Sequence, residues 1–159
     1  MDIKFYQYID AAPDDVFMSL TNPRSIELWS SLPADMSAEE GYEFSIFDGD
    51  IVGRNLKVVE NELLQQEWYF GEENAEPSIA TIKLHPDKNG TSVEVRHTNI
   101  PANAFDNINE GWREYYIGAI KHFCEDEEWT QKKRANHIPS HASICKIARI
   151  TSAFFQNLI

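Results

Sequence analysis

At 159 residues, with 42% apolar residues and nineteen aromatics (9 Phe, 6 Tyr, 4 Trp), the chain is the length of one ordinary domain and can bury a substantial core. Fourteen Lys and Arg against 26 Asp and Glu leave a net charge of -12, which repels phosphate backbones and anionic lipid surfaces, so nucleic acid is not an expected partner. The opening MDIKFYQYID carries no signal-like region and no long apolar run follows, so no membrane span is expected and a cytoplasmic location is.

In chain order, IKFYQYI puts Ile3, Phe5, Gln7 and Ile9 on one side at a two-residue period, the mark of a strand with one buried face. Pro13, followed by Asp14 and Asp15, opens a short helix burying Val16, Phe17 and Leu20, because the helix dipole favours anions there. Asn22-Pro23 starts a second short helix ending near Leu28 and Trp29, and residues 30 to 40 read as a loop. YEFSIF and DIVGRNLKVVE flank Asp48-Gly49, a strong hairpin signal; Asn61-Glu62 precedes LLQQEWYF, and Gly53 suggests a bulge or bend.

A last hairpin, SIATIKLH and TSVEVRHTNI, is joined by a loop ending in Asn89-Gly90. A long helix over 107–123 then shows one broad stripe of Ile108, Trp112, Tyr115, Tyr116, Ala119, Ile120 and Phe123. Asn107 and Glu110 have the spacing of a capping box at its start. Gly111 beside Trp112 suggests that strand, loop or ligand approaches the helix backbone. The expected fold class is α+β: six antiparallel strands with every helix on one face.

Three stretches carry a family resemblance: YIDAAPDDVFMSLTNPRSIELW, IFDGDIVGRNLKVVENELLQQEW, and NGTSVEVRHTNIP with the Gly111-Trp112 pair after it. In their order and spacing they resemble the activator of heat shock protein 90 ATPase-like family of the START-like (SRPBCC) superfamily. The resemblance implies a helix-grip fold, a curved sheet wrapped around the long helix, with a cavity between them that in relatives accepts lipids, hormones or polyketides. It also implies a chaperone as a partner. It covers residues 1–124 and leaves 125–159 as an extension. The segment SAEEGYEFSIF departs from the family pattern in having a single turn glycine, Gly41.

Strand parity nominates the lining of such a cavity. Val93, Val95, His97 and Asn99 share a face, as do Leu64, Gln66, Trp68 and Phe70, and Phe5 and Gln7 join them from the first strand. Phe5, Gln7, Gln66, Trp68, His97, Trp112 and Tyr116 would make an apolar pocket with a few polar anchors, the usual character of a small-molecule site. The leading expectation is therefore a non-enzymatic protein binding a hydrophobic or amphipathic small molecule. A co-chaperone-like interaction module is second, and a cyclase- or hydrolase-like enzyme using His97 is third. Glu67 and Glu94, the acids that could partner His97, fall on the opposite face. No cofactor or metal is expected: there is no phosphate loop or nucleophile elbow, and Pro139 lies between His137 and His141. Cys124 and Cys145 have no redox or zinc spacing.

Past Phe123 the charge balance changes, with five basic against four acidic residues. Ile144, Ile147, Ala148, Thr151, Phe154, Phe155 and Leu158 follow helical spacing, so an amphipathic helix over 142–158 is expected to pack on the domain or to mediate a homodimer.

Overall fold

Alternation of apolar and polar residues produces six strands, because each has one face to bury. The computed structural model describes residues 1–71 and 76–128. Strand β1 (Ile3–Ile9) is followed by helices α1 (Pro13–Thr21) and α2 (Pro23–Ser30), each with proline in its first turn. The Asn22 side chain accepts from the Ser25 amide at 3.1 Å and so caps α2. Strands β2 (Glu43–Ile46), β3 (Ile51–Val59), β4 (Leu63–Trp68), β5 (Ser78–Asp87) and β6 (Gly90–Thr98) complete one antiparallel sheet in the order β1-β6-β5-β4-β3-β2. The helices cover one face of this curved sheet, in the helix-grip arrangement that the resemblance implies.

Four local expectations are corrected. The long helix begins at Phe105, with Ala104 at its cap and no capping side chain, so the Asn107–Glu110 box does not form; chain leaving Pro101 is already helical before Asn107. It is also not one α-helix. α3 (Phe105–Glu110) passes into a π-helical segment, Gly111–Tyr116, and then into α4 (Ile117–Glu125). The wider turn shows in the Ile117 amide donating to Trp112 O, five residues back. Gly118 permits it, because a Cβ there would run into Arg113 O, whereas Gly111 has an ordinary right-handed backbone (φ -56°). The extra residue brings Ile117 to the core beside Tyr116 and leaves Tyr115 and Phe123 half-buried.

The third correction concerns turns. Between β5 and β6 the loop is Lys88-Asn89, with Lys88 at φ 53° and Gly90 already paired with Asp87. Between β2 and β3, Phe47 joins Asp48 and Gly49 at positive φ (53°, 56° and 89°). Fourth, the irregularity in β3 falls at Asn55/Lys57, just beyond Gly53; Gly53 itself is required because a Cβ would overlap Glu67 O.

The helix end is tied back to the sheet. Glu125 accepts from the Asp10 amide (2.9 Å) and pairs with Lys121 (2.6 Å), which itself donates to Tyr8 O (3.2 Å). Glu125 is thus a structural clasp rather than part of a merely solvated acidic run. The expected 142–158 helix, Cys145 and the His137/His141 pair lie outside the described residues.

Candidate functional site

The inward face of β4 and β6 and the π-helical segment that roofs it bring together five of the seven nominated residues. Trp68 stacks on Trp112 with ring centroids 4.9 Å apart, Trp112 meets Tyr116 at 4.7 Å, and His97 stands edge-on to Trp68 at 4.9 Å. Gln66 is fully buried next to them. Phe5 is buried in the core but carries the Arg113 guanidinium over its ring at 4.3 Å. Gln7 is half-buried and its amide donates to the neighbouring Tyr8 O, so it does not join the cluster. Asn99 leaves the strand at φ 58° and is exposed.

Two hydrogen-bond chains run through this cluster. An indole N–H can only donate, so the 3.0 Å contact from Trp112 Nε1 makes His97 Nδ1 the acceptor. The imidazole proton therefore sits on Nε2 and is donated to Ser78 Oγ at 2.7 Å, whose own hydrogen reaches Thr98 O at 3.3 Å. Burial pushes the His97 pKa down to about 3, which keeps the ring neutral as this geometry requires. In the second chain Trp68 Nε1 donates to Gln66 Oε1 (3.2 Å), and Gln66 Nε2 donates to Asn55 Oδ1 (2.9 Å). Asn55 Nδ2 then donates to the carbonyls of Ser37 (2.7 Å) and Glu39 (3.0 Å) in the loop before β2.

The exception is Tyr116. Its hydroxyl is buried with no partner among the described residues, its ring is enclosed by Trp29, Phe47 and Trp112, and burial pushes its pKa well up. An unsatisfied buried hydroxyl costs about 1–3 kcal/mol. Beside Trp68 a recess of about 150 Å³ opens between Ile51, Phe70 and Ile108, smaller than the roughly 300–1,000 Å³ usual for ligand pockets. A wider cleft of about 580 Å³ lies elsewhere, between α1, Met36 and the Asn61 turn, and none of the seven nominated residues lines it.

Sequence reasoning missed Asn55, Ser78 and Phe47. Asn55 had a signal, since it shares inward parity with Ile51 and Gly53. Ser78 had one too, sharing inward parity with Ala80, Ile82 and Leu84, whereas Phe47 lies in a turn where a buried ring is not expected. Glu67 and Glu94 do face outward, paired with Arg54 (3.1 Å) and His85 (2.8 Å). His97 has both ring nitrogens engaged and no exposed surface, so no nitrogen is free to pass a proton to a substrate. No group of three or more His, Cys, Asp or Glu among the described residues could hold a metal ion, and no described helix is long and apolar enough to cross a membrane.

The model of the family described as Activator of Hsp90 ATPase homolog 1-like protein matches residues 10–125, most of the chain. The chain belongs to this family. Within the Hsp90-activator-like family it is similar to the mouse activator of 90 kDa heat shock protein ATPase homolog 1, at 29% identity over 112 residues, covering 69% of this chain and 33% of the relative. The Dictyostelium discoideum homologue is 27% identical over 122 residues, covering 76% of this chain and 32% of its own. The chain thus spans about a third of the length of these curated relatives. Among solved structures, an Hsp90 activator from Plasmodium falciparum superposes with a TM-score of 0.69 at 20% identity, covering 76% of this chain and 93% of that one. The Aha1 dimer from Colwellia psychrerythraea gives 0.69 at 18%, covering 79% and 96%. These structural neighbours share the fold.

Proposed function

We propose that this domain is a co-chaperone-like interaction module that binds a chaperone of the 90 kDa heat-shock type and raises its ATPase rate. The observation that carries this reading is the 29% identity over 112 residues to a protein named as an activator of that ATPase. The interior agrees with it: the aromatic cluster is filled by its own rings, and its two hydrogen-bond chains close within the protein. Contact through the surface is then the main means of action. The test is steady-state ATP hydrolysis by the purified cognate chaperone with this protein added. A saturating rise in rate is expected; an unchanged rate together with no complex by ultracentrifugation overturns the reading.

A second reading is favoured by one observation. The Tyr116 hydroxyl has no partner, and a small amphipathic molecule with an acceptor group, entering between the sheet and the helix, would satisfy it. Phe5, Gln66, Trp68, His97, Trp112 and Tyr116 would surround such a guest, with Gln7 further out. Native mass spectrometry of protein taken gently from cells should then show an added mass that is absent from Y116F. Identical masses for both proteins remove this reading.

A further inference from the structure

The face of the sheet opposite the helices, as the described residues leave it, has an unusual charge for this chain. Five of the fourteen Lys and Arg residues project from it (Lys4, Arg54, Lys57, Lys83, Arg96), against four acids (Glu43, Glu67, Asp87, Glu94), on a protein of net charge -12. The acids are also partly occupied. Glu67 pairs with Arg54, while Glu94 pairs with His85 and lies 3.8 Å from Lys4. Lys57, Lys83 and Arg96 are exposed and form no ion pair among the described residues.

Register aligns these cations. Lys4 lies opposite Arg96, Arg96 opposite Thr81, Thr81 opposite Gln65, and Gln65 opposite Lys57. This row crosses five strands without an acid, a span of roughly 19 Å at about 4.8 Å per strand. Lys83 stands in the adjacent row opposite Glu94, whose carboxylate is already engaged by His85, and beyond Glu94 the same row ends at Tyr6, 58% exposed at the sheet edge. At physiological salt, charges more than about 8 Å away are largely screened, so a partner at this face meets the local cations rather than the acidic remainder.

We infer that this face is where the domain docks an acidic protein segment, with Lys57, Lys83 and Arg96 making the ion pairs and Tyr6 supplying a rigid aromatic contact. The inference rests on the interaction-module reading and names the chemistry of the partner's contact. Acidic protein is favoured over nucleic acid because a long polyanion would extend past the row onto the chain's acidic surfaces, whereas a short segment stays within it.

The test compares wild type, K57Q/K83Q/R96Q and a control, R24Q/K88Q, whose exposed cations lie off the row. Each is titrated against a fluorescein-labelled oligoglutamate peptide, against oligothymidylate and against the purified chaperone, after thermal melts confirm equal folding. The triple variant should bind oligoglutamate about 10-fold more weakly, the sum expected for three exposed ion pairs, with a flatter salt dependence and no change in the control. Equal affinity of wild type and triple variant overturns the inference, as does tighter binding of oligothymidylate than of oligoglutamate. If the triple variant stimulates the chaperone as well as wild type does, the face is wrong and the chaperone reading stands. If oligoglutamate binding is lost as expected but no protein affects the chaperone, the face stands and the chaperone reading fails.

Discussion

The two faces of one sheet handle polar groups in opposite ways. Facing the helices, Asn55, Gln66, Ser78 and His97 are at most 1% exposed and bonded to one another, to indole N–H groups or to backbone carbonyls. On the other face, Lys57, Lys83 and Arg96 are exposed and form no ion pair among the described residues. Buried polar groups must be satisfied, which imposes one specific packing, while exposed cations lose little by waiting for a partner. The contrast places the satisfied polar groups in one face and the cations of the inferred docking surface in the other.

Substitutions can break that division at several points. The largest effect is expected from Trp68→Ala, which removes a ring stacked on Trp112 and frees Gln66 Oε1; urea denaturation should show a loss of about 3–5 kcal/mol. Next is acid. With a folded pKa of about 3 for His97 against an unfolded value near 6.5, the unfolded chain binds the proton first as pH falls. The contribution of neutral His97 is therefore complete above about pH 6.5 and is lost toward pH 3, at about 1.4 kcal/mol per pH unit within that window. Denaturation midpoints across the range, with ring nitrogen shifts by NMR showing His97 still neutral at pH 5, would establish it.

Gly118→Ala should cost about 1–3 kcal/mol by urea denaturation, since the new methyl meets Arg113 O unless the π-helical turn closes. The smallest change sharpens the comparison most. Tyr116→Phe removes the one buried hydroxyl without a partner among the described residues and should leave stability unchanged or raise it by about 1 kcal/mol, read as an equal or higher melting temperature; a clear loss would reveal a hidden partner.

Much of this was legible before any coordinates. The two-residue period of Val93, Val95 and His97, and of Leu64, Gln66 and Trp68, marks the inner wall because alternation is a direct consequence of pleating. The π-helical segment was not, since Ile108, Trp112 and Tyr116 recur at a four-residue step that an ordinary α-helical stripe also shows. Its one local trace is Gly118, where a side chain would meet Arg113 O. The turn at Phe47 was illegible because propensity places glycine or asparagine, not phenylalanine, at positive φ. Solvent-side cations show in the sequence only as scattered Lys and Arg; pairing register is what sets them in line.

Phe47 holds a backbone conformation uncommon for a bulky side chain and puts its ring, wholly shielded from water, 5.6 Å from Trp29 and 5.8 Å from Tyr116. The tip of this hairpin is consequently a plug rather than a spacer. Grafting a standard Asn-Gly reversal there would relax the main chain and at the same time uncork the aromatic stack, so loop and core cannot be redesigned separately at that end of the molecule.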